Sequence, residues 1–255
     1  MRTSLDSRAL TAELGRARTL LELLSLHQRH GNRFTRFNIA AFWSKFKKLP
    51  RGELGGIHNR LALVCEQTAR MLPRVDARQV SDVAHAFAKS RLVGSGPYQG
   101  VWAVLEEVSR RRLGDLDAQG LSMTSWAFAT AAHASPQLFD AISAEVARRG
   151  LHGFNEQHLS NTVWAFAKAG HEAPALLEAI SAKAVRRGLG NFKPQELSNT
   201  SWAFAKAGHE APALLEAISA EALRRGLHDF NEQALSNTCL LYTSPRPRDC
   251  RLSRM

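Results

Sequence analysis

Asn161, Ala165 and Lys168 follow one another at i, i+4 and i+7, and Asn199, Ala203 and Lys206 repeat that spacing 38 residues later. On a helix these positions share a face. A carboxamide there can hydrogen-bond a base edge, an alanine lets a strand come close, and a lysine can meet a phosphate, which together is the chemistry of reading a single-stranded nucleic acid. A second reading makes the asparagines a structural ladder, each amide bonding the backbone of the next repeat, with Thr162 and Thr200 doing the same. Lys168 and Lys206 belong in solvent or on phosphate under either reading, because burying an unpaired ammonium is costly.

Positive charge recurs on the same grid. The pairs Arg110/Arg111, Arg148/Arg149, Arg186/Arg187 and Arg224/Arg225 lie one period apart. A regular row of cations suits a polyanion with evenly spaced phosphates. Each pair also falls where a helix would end, and there the helix dipole favours cations in any protein, which taken alone is the better account. Trp126, Trp164 and Trp202 sit within Trp-Ala-Phe-Ala, a spacing that assigns them to a core; stacking on bases is the other reading. His133, His171 and His209 recur without partners at metal-ligand spacing and are assigned to helix ends or hairpin turns.

The elements that must position these groups follow from the repeat itself. Leu159-Ser-Asn-Thr-Val-Trp-Ala-Phe-Ala-Lys-Ala-Gly-His171 returns almost unchanged as Leu197-Ser-Asn-Thr-Ser-Trp-Ala-Phe-Ala-Lys-Ala-Gly-His209, and Leu235-Ser-Asn-Thr238 begins another copy. A period of 38 residues is that of a solenoid of helical hairpins. Asn155 suits an N-cap; Leu159, Val163, Phe166 and Ala167 form an apolar face; Gly170 ends the first helix. Pro174 opens the second, whose buried stripe is Leu176, Leu177, Ile180 and Ala184, and Gly188 closes it after Arg186 and Arg187. Leu121 to Ala129 is a third copy, Val80 to Lys89 a fourth with His85 in the tryptophan slot, and Phe37 to Phe46 a fainter fifth followed by a helical stretch from about Asn59 to Met71. The expected class is all-α, a right-handed α-solenoid of the armadillo, TPR or PPR kind.

Residues 1–33 are assigned to an N-terminal capping helix or a presequence, 34–238 to the repeat array with clear copies from about 115, and 239–255 to a tail. Arg2, Arg8, Arg16 and Arg18 suit a presequence, but Asp6, Glu13 and Glu22 favour an amphipathic capping helix from about Ser7 to His27, since targeting segments are poor in acids. In the tail, Cys239-Leu-Leu-Tyr-Thr-Ser-Pro-Arg-Pro-Arg-Asp-Cys250 breaks the repeat and resembles translated adapter sequence, so these residues are read as non-native or as a disordered basic tail. That reading makes the chain a truncated part of a longer protein. The formal net charge is +11, and setting aside Arg246, Arg248, Arg251 and Arg254 with Asp249 leaves +8. Cys65, Cys239 and Cys250 show neither metal spacing nor a disulfide framework. No run approaches the roughly 18 apolar residues of a membrane span. No phosphate loop, paired carboxylates or Cys/His dyad is present, so no catalytic residue, cofactor or metal is assigned.

At Phe192-Lys-Pro-Gln-Glu-Leu-Ser-Asn-Thr-Ser-Trp-Ala-Phe-Ala-Lys-Ala-Gly208 the chain resembles the octotricopeptide-repeat family, helical-hairpin RNA-binding proteins of chloroplasts and mitochondria. It is similar also to the repeats of FAST-kinase-like and RAP-domain proteins and of RNA-editing substrate-binding complex subunits. The resemblance covers residues 76–238 clearly and 34–75 faintly. It departs from the family's Pro-Pro-Pro-Glu-Trp opening of the second helix, since only Pro136, Pro174 and Pro212 match. It implies non-catalytic binding of single-stranded RNA in organellar processing, stability, editing or translation, in a mitochondrion or chloroplast, with processing, editing or ribosome-assembly proteins as partners. The residues above supply the contacts: Asn161, Lys168, Asn199 and Lys206, with Arg148, Arg149, Arg186, Arg187, Arg224 and Arg225. If each hairpin reads one nucleotide, Asn161 with Lys168 and Asn199 with Lys206 select the same base, whereas Met123 and Thr130 in the earlier copy do not. The alternative is a protein-binding scaffold, since related solenoids take peptides on the same surface.

Overall fold

A computed structural model describes residues 6–50, 58–94, 96–226 and Phe230. Arg2, the copy begun at Leu235 and the tail 239–255, with Cys239 and Cys250, lie outside the described residues. Among the described residues the chain is all-α, with twelve α-helices and no strand. These are α1 (Ser7–Arg16), α2 (Leu20–His30), α3 (Arg36–Phe46), α4 (His58–Met71), α5 (Ala77–Lys89), α6 (Pro97–Arg111), α7 (Ala118–Thr130), α8 (Pro136–Arg149), α9 (Glu156–Ala169), α10 (Pro174–Arg187), α11 (Pro194–Ala207) and α12 (Pro212–Arg225). They fall into two compact units, Met1–Ile142 and Ser143–Met255, with the boundary inside α8.

Local chemistry sets the helix ends. Asp76, Asp117 and Asn155 accept from the backbone N–H of Gln79, Gly120 and His158, capping α5, α7 and α9. Pro174 and Pro212 occupy first-turn positions whose N–H would be unused. Gly170 and Gly208 take φ of 66° and 62°, the left-handed conformation, and the next residue's N–H donates back to Phe166 O or Phe204 O at 3.0 and 3.2 Å. His171 and His209 supply those N–H groups, and their rings lie edge-on to Phe166 and Phe204 at 5.6 and 5.7 Å. The recurring histidine is thus a hairpin-turn residue, as its position predicts.

In the first unit α1 packs on α3, α3 on α5 and α5 on α7, while α2 packs on α4 and α4 on α6. In the second, α9 packs on α11 and α10 on α12. First helix against first helix and second against second is the packing of stacked hairpins. One expectation needs correcting: residues 7–27 are not a single capping helix. Thr19 accepts from Glu22 N–H while Glu22 accepts from Arg18 N–H at 2.7 Å, and these two bonds start a new helix at Leu20. The N-terminal segment is a hairpin that stacks in the same way as those after it.

The core is aromatic. Trp43 lies 4.3 Å from Phe87, Trp102 lies 5.0 Å from Phe128, and all four are buried. Trp43 Nε1 donates to Thr68 Oγ1 and Trp102 Nε1 to Leu92 O, so each buried N–H is satisfied. In the second unit Phe166, Phe192 and Phe204 fill the same role, with Leu176, Leu177, Ile180 and Ala184 buried as the stripe predicts. Ser81 Oγ donates to Gly120 O at 3.2 Å, and Ser160 Oγ to Glu196 O at 3.0 Å. The bond between successive first helices therefore comes from the serine of Leu-Ser-Asn-Thr.

Candidate nucleic-acid interface

In the second unit the packing of α9 on α11 sets two matching rows of side chains next to each other. Gln157, Asn161, Trp164 and Lys168 run down α9 at spacings of four, three and four, and Gln195, Asn199, Trp202 and Lys206 run down α11. The glutamines and lysines are exposed, and the asparagines and tryptophans are half-buried. The Trp164 and Trp202 rings stand 6.2 Å apart at 34°. Neither lysine belongs to an ion pair among the described residues.

Two sequence expectations change here. The tryptophans are not core: the buried aromatic of each hairpin is Phe166 or Phe204, and the tryptophan two residues earlier faces partly outward. Ala165 and Ala203 are fully buried and leave no gap on the surface. The reason is angular. Asn161, Trp164 and Lys168 fall within one narrow sector of the helix, whereas Ala165 turns ~100° further than Trp164, toward the neighbouring helix. A helical wheel centred on Lys168 rather than on the alanine carries that signal.

The asparagine ladder does not form between these helices. Asn161 makes no bond to α11, and Asn199 Oδ1 accepts instead from Gln195 of its own helix at 2.8 Å. Thr162 and Thr200 donate back to His158 O and Glu196 O within their own helices, leaving the serine as the inter-helix link.

The arginines divide differently. Arg148 and Arg149 both hold Glu145, and Arg224 and Arg225 both hold Glu221. The hydrogen bond from Arg148 in the first case and from Arg224 in the second leads in pushing each carboxyl down to about 2. Arg187 reaches Glu156 at the start of α9, 3.1 Å away. Arg225 donates further to Phe192 O, Leu189 O and Gly190 O, tying α12 to the loop before α11. Lys183 stands where the flanking hairpins have Glu145 and Glu221, so Arg186 has no ion pair among the described residues. These arginines finish helices, as the dipole account predicts, and Arg225 also anchors a loop. Glu156, which holds Arg187, opens α9 and Lys168 lies in its last turn, about 18 Å apart at 1.5 Å per residue.

The first unit carries the same rows with other residues: Arg78, Asp82, His85 and Lys89 on α5, and Gln119, Met123, Trp126 and Thr130 on α7. His85 and Trp126 meet at 5.2 Å. No group of His, Cys, Asp and Glu able to hold a metal occurs among the described residues. Burial pushes the Cys65 thiol up to about 12, which leaves it inert as a nucleophile. No described helix is long and apolar enough to cross a membrane. No protein-family model matches this chain, and no curated protein matches it.

Proposed function

We propose that this protein binds single-stranded RNA without catalysis, through the rows on α9 and α11, and that it serves processing, stability, editing or translation of RNA in a mitochondrion or chloroplast. The observation that carries the reading is the duplicated row of amide, half-exposed indole and exposed ammonium, the last without an ion pair among the described residues, on two adjacent helices. An indole face stacks on any base, an amide reads a base edge, and an ammonium takes a phosphate. The net charge of +11 adds a long-range attraction for a polyanion. The resemblance to octotricopeptide repeats points the same way and suggests the organellar setting and RNA-processing partners.

Fluorescence-anisotropy binding of the full chain to short single-stranded RNA at several salt concentrations tests this. The expected result is an affinity that falls steeply with salt and falls again in Lys168→Ala/Lys206→Ala. Equal binding by that variant refutes the placement, and no binding beyond that of a generic basic protein refutes the RNA reading. The second outcome favours a scaffold. One observation supports that alternative: Val185 and Leu223, one period apart on α10 and α12, are 40% and 71% exposed and offer an aliphatic contact for a protein.

A further inference from the structure

Four of the first helices have a lysine at or just past their end: Lys47 just after α3, Lys89 on α5, Lys168 on α9 and Lys206 on α11, whereas α7 ends on Thr130. In the first unit α3 and α5 pack together, and Lys47 Nζ lies 3.2 Å from His85 Nδ1. An ammonium has only donors, so the imidazole accepts at Nδ1 and is neutral there. Lys89 follows His85 by one helical turn and so shares its face. Trp126 backs the imidazole from α7 at 5.2 Å. We propose that Lys47, His85 and Lys89 form a binding site for a phosphate group.

The first argument is compensation. Lys47 is half-buried, and its hydrogen-bond partner among the described residues is a neutral ring rather than a carboxylate. Burial is the main cause that lowers its pKa. The Asp82 carboxylate partly offsets that, while Lys48 and Lys89 add to it; the charges that act on His85 are Lys47 from the end of α3 and Lys89 from its own helix, and α7 carries none. Burial first, then Lys47 and Lys89, pushes His85 down to about 4. Lys47 Nζ and His85 Nδ1 thus meet as two groups that can each hold an anion, with Lys89 on the same helix face. The helix dipole explains a lysine at a helix end. It does not explain why two of them flank a histidine.

The second argument is the contrast with the second unit, where the slot beside the lysines holds Trp164 and Trp202. An indole cannot gain a proton. When a phosphate oxygen takes the Lys47 ammonium, Nδ1 of His85 loses its donor and can accept a proton from water. The imidazolium then gives the anion a third N–H donor, and binding becomes coupled to proton uptake.

The test is a pH titration of the His85 ring by NMR on the full chain, with the signal assigned by His85→Gln, in the presence of inorganic phosphate, a 5′-phosphorylated RNA oligonucleotide, or the same oligonucleotide with a 5′-hydroxyl. The expected result is that the midpoint of His85 rises by about one unit or more on binding, since each unit is a tenfold preference of the ligand for the protonated ring. The rise should vanish in Lys47→Ala, whose fold is checked by the near-ultraviolet signal of the buried tryptophans. A response to all three ligands assigns the site to backbone phosphodiesters as well as free phosphate, and a response to the first two alone assigns it to free or terminal phosphate. A phosphodiester keeps one charge across this range, so the 5′-hydroxyl oligonucleotide should bind more tightly at pH 5 than at pH 7, by more in the wild type than in His85→Gln. No movement of His85 with any ligand overturns the proposal. If RNA binds and depends on Lys168 and Lys206 while His85 stays still, this site fails and the RNA reading stands; if phosphate moves His85 and RNA does not bind, the reverse holds.

Discussion

The pairs α5/α7 and α9/α11 are built alike underneath and differently on top. Both pairs carry a buried phenylalanine on each first helix, and both are linked by a serine hydroxyl bonded to a carbonyl of the next first helix. Yet the outward rows read Arg78, Asp82, His85, Lys89 beside Gln119, Met123, Trp126, Thr130 in one unit, and two nearly identical Gln, Asn, Trp, Lys rows in the other. The frame and the surface vary independently. That is the property a modular binder needs, because a row can change its ligand preference without cost to the fold.

The largest effects should come from breaking the frame. Phe87→Ala and Phe204→Ala each empty a site that is fully buried, and each should cost about 3–5 kcal/mol in urea denaturation. The pair also asks whether the units unfold together. Two resolved transitions, each moved by its own substitution alone, mean independent units; one transition moved by both means a single cooperative array.

Changing the surface should cost less stability than emptying the core and act mainly on binding. Trp164→Ala/Trp202→Ala should weaken single-stranded RNA binding by about 1–3 kcal/mol for each base that stacks. Trp126→Ala, in a row that lacks both asparagine and lysine, should weaken it less. Equal losses at all three positions would mean that the rows do not differ in function, which would break the comparison at its centre.

A smaller contrast separates cations with no ion pair among the described residues from occupied ones. Lys168→Ala/Lys206→Ala should flatten the dependence of log K on log salt by about 0.7 for each phosphate that the variant no longer neutralises. Arg148→Ala/Arg224→Ala should leave the slope unchanged, because those guanidiniums already hold Glu145 and Glu221. A loss of slope in the arginine variant would restore the arginine row as a phosphate track.

How much of this was legible in the chain depends on whether a feature is local or shared. Helix ends were legible at Asn155, Gly170, Pro174 and Gly188 because capping is decided by a residue and its near neighbours. The second-helix stripe was legible because four aliphatic side chains repeat at helical spacing. The outward turn of the tryptophans needed the neighbour helix. Ala165 and Trp164 are adjacent in sequence, and only the approach of α11 decides which is covered. The ion pairs of the arginines turned instead on Glu145 and Glu221, three residues upstream of each pair, a local signal that the charge count passed over. The break at Ala17–Thr19 was also written locally, in Thr19 and Glu22, but an amphipathic pattern runs across it.

The finest comparison lies within the second unit, between α10 and α12. Glu221 is held down to about 2 by Arg224 and then Arg225, below the ~4.3 of an unfolded-chain glutamate. Its folded pKa is the lower one, so its contribution to stability is complete above that unfolded value and is lost as pH falls toward 2. Wild-type stability should therefore drop more steeply than that of Glu221→Gln across this window, and the two should converge at its acid end. α10 lacks the carboxylate, having Lys183 in its place. Lys183→Glu would recreate the missing partner at i−3 and i−4 from Arg186 and Arg187, remove a like charge, and raise stability at neutral pH by about 0.2–0.5 kcal/mol for each pair formed. That gain should fade over the same acid window. If Lys183→Glu is instead neutral for stability but weakens RNA binding, then the α10 cations belong to the binding surface after all, and the division between frame and surface runs through the second helix as well as the first.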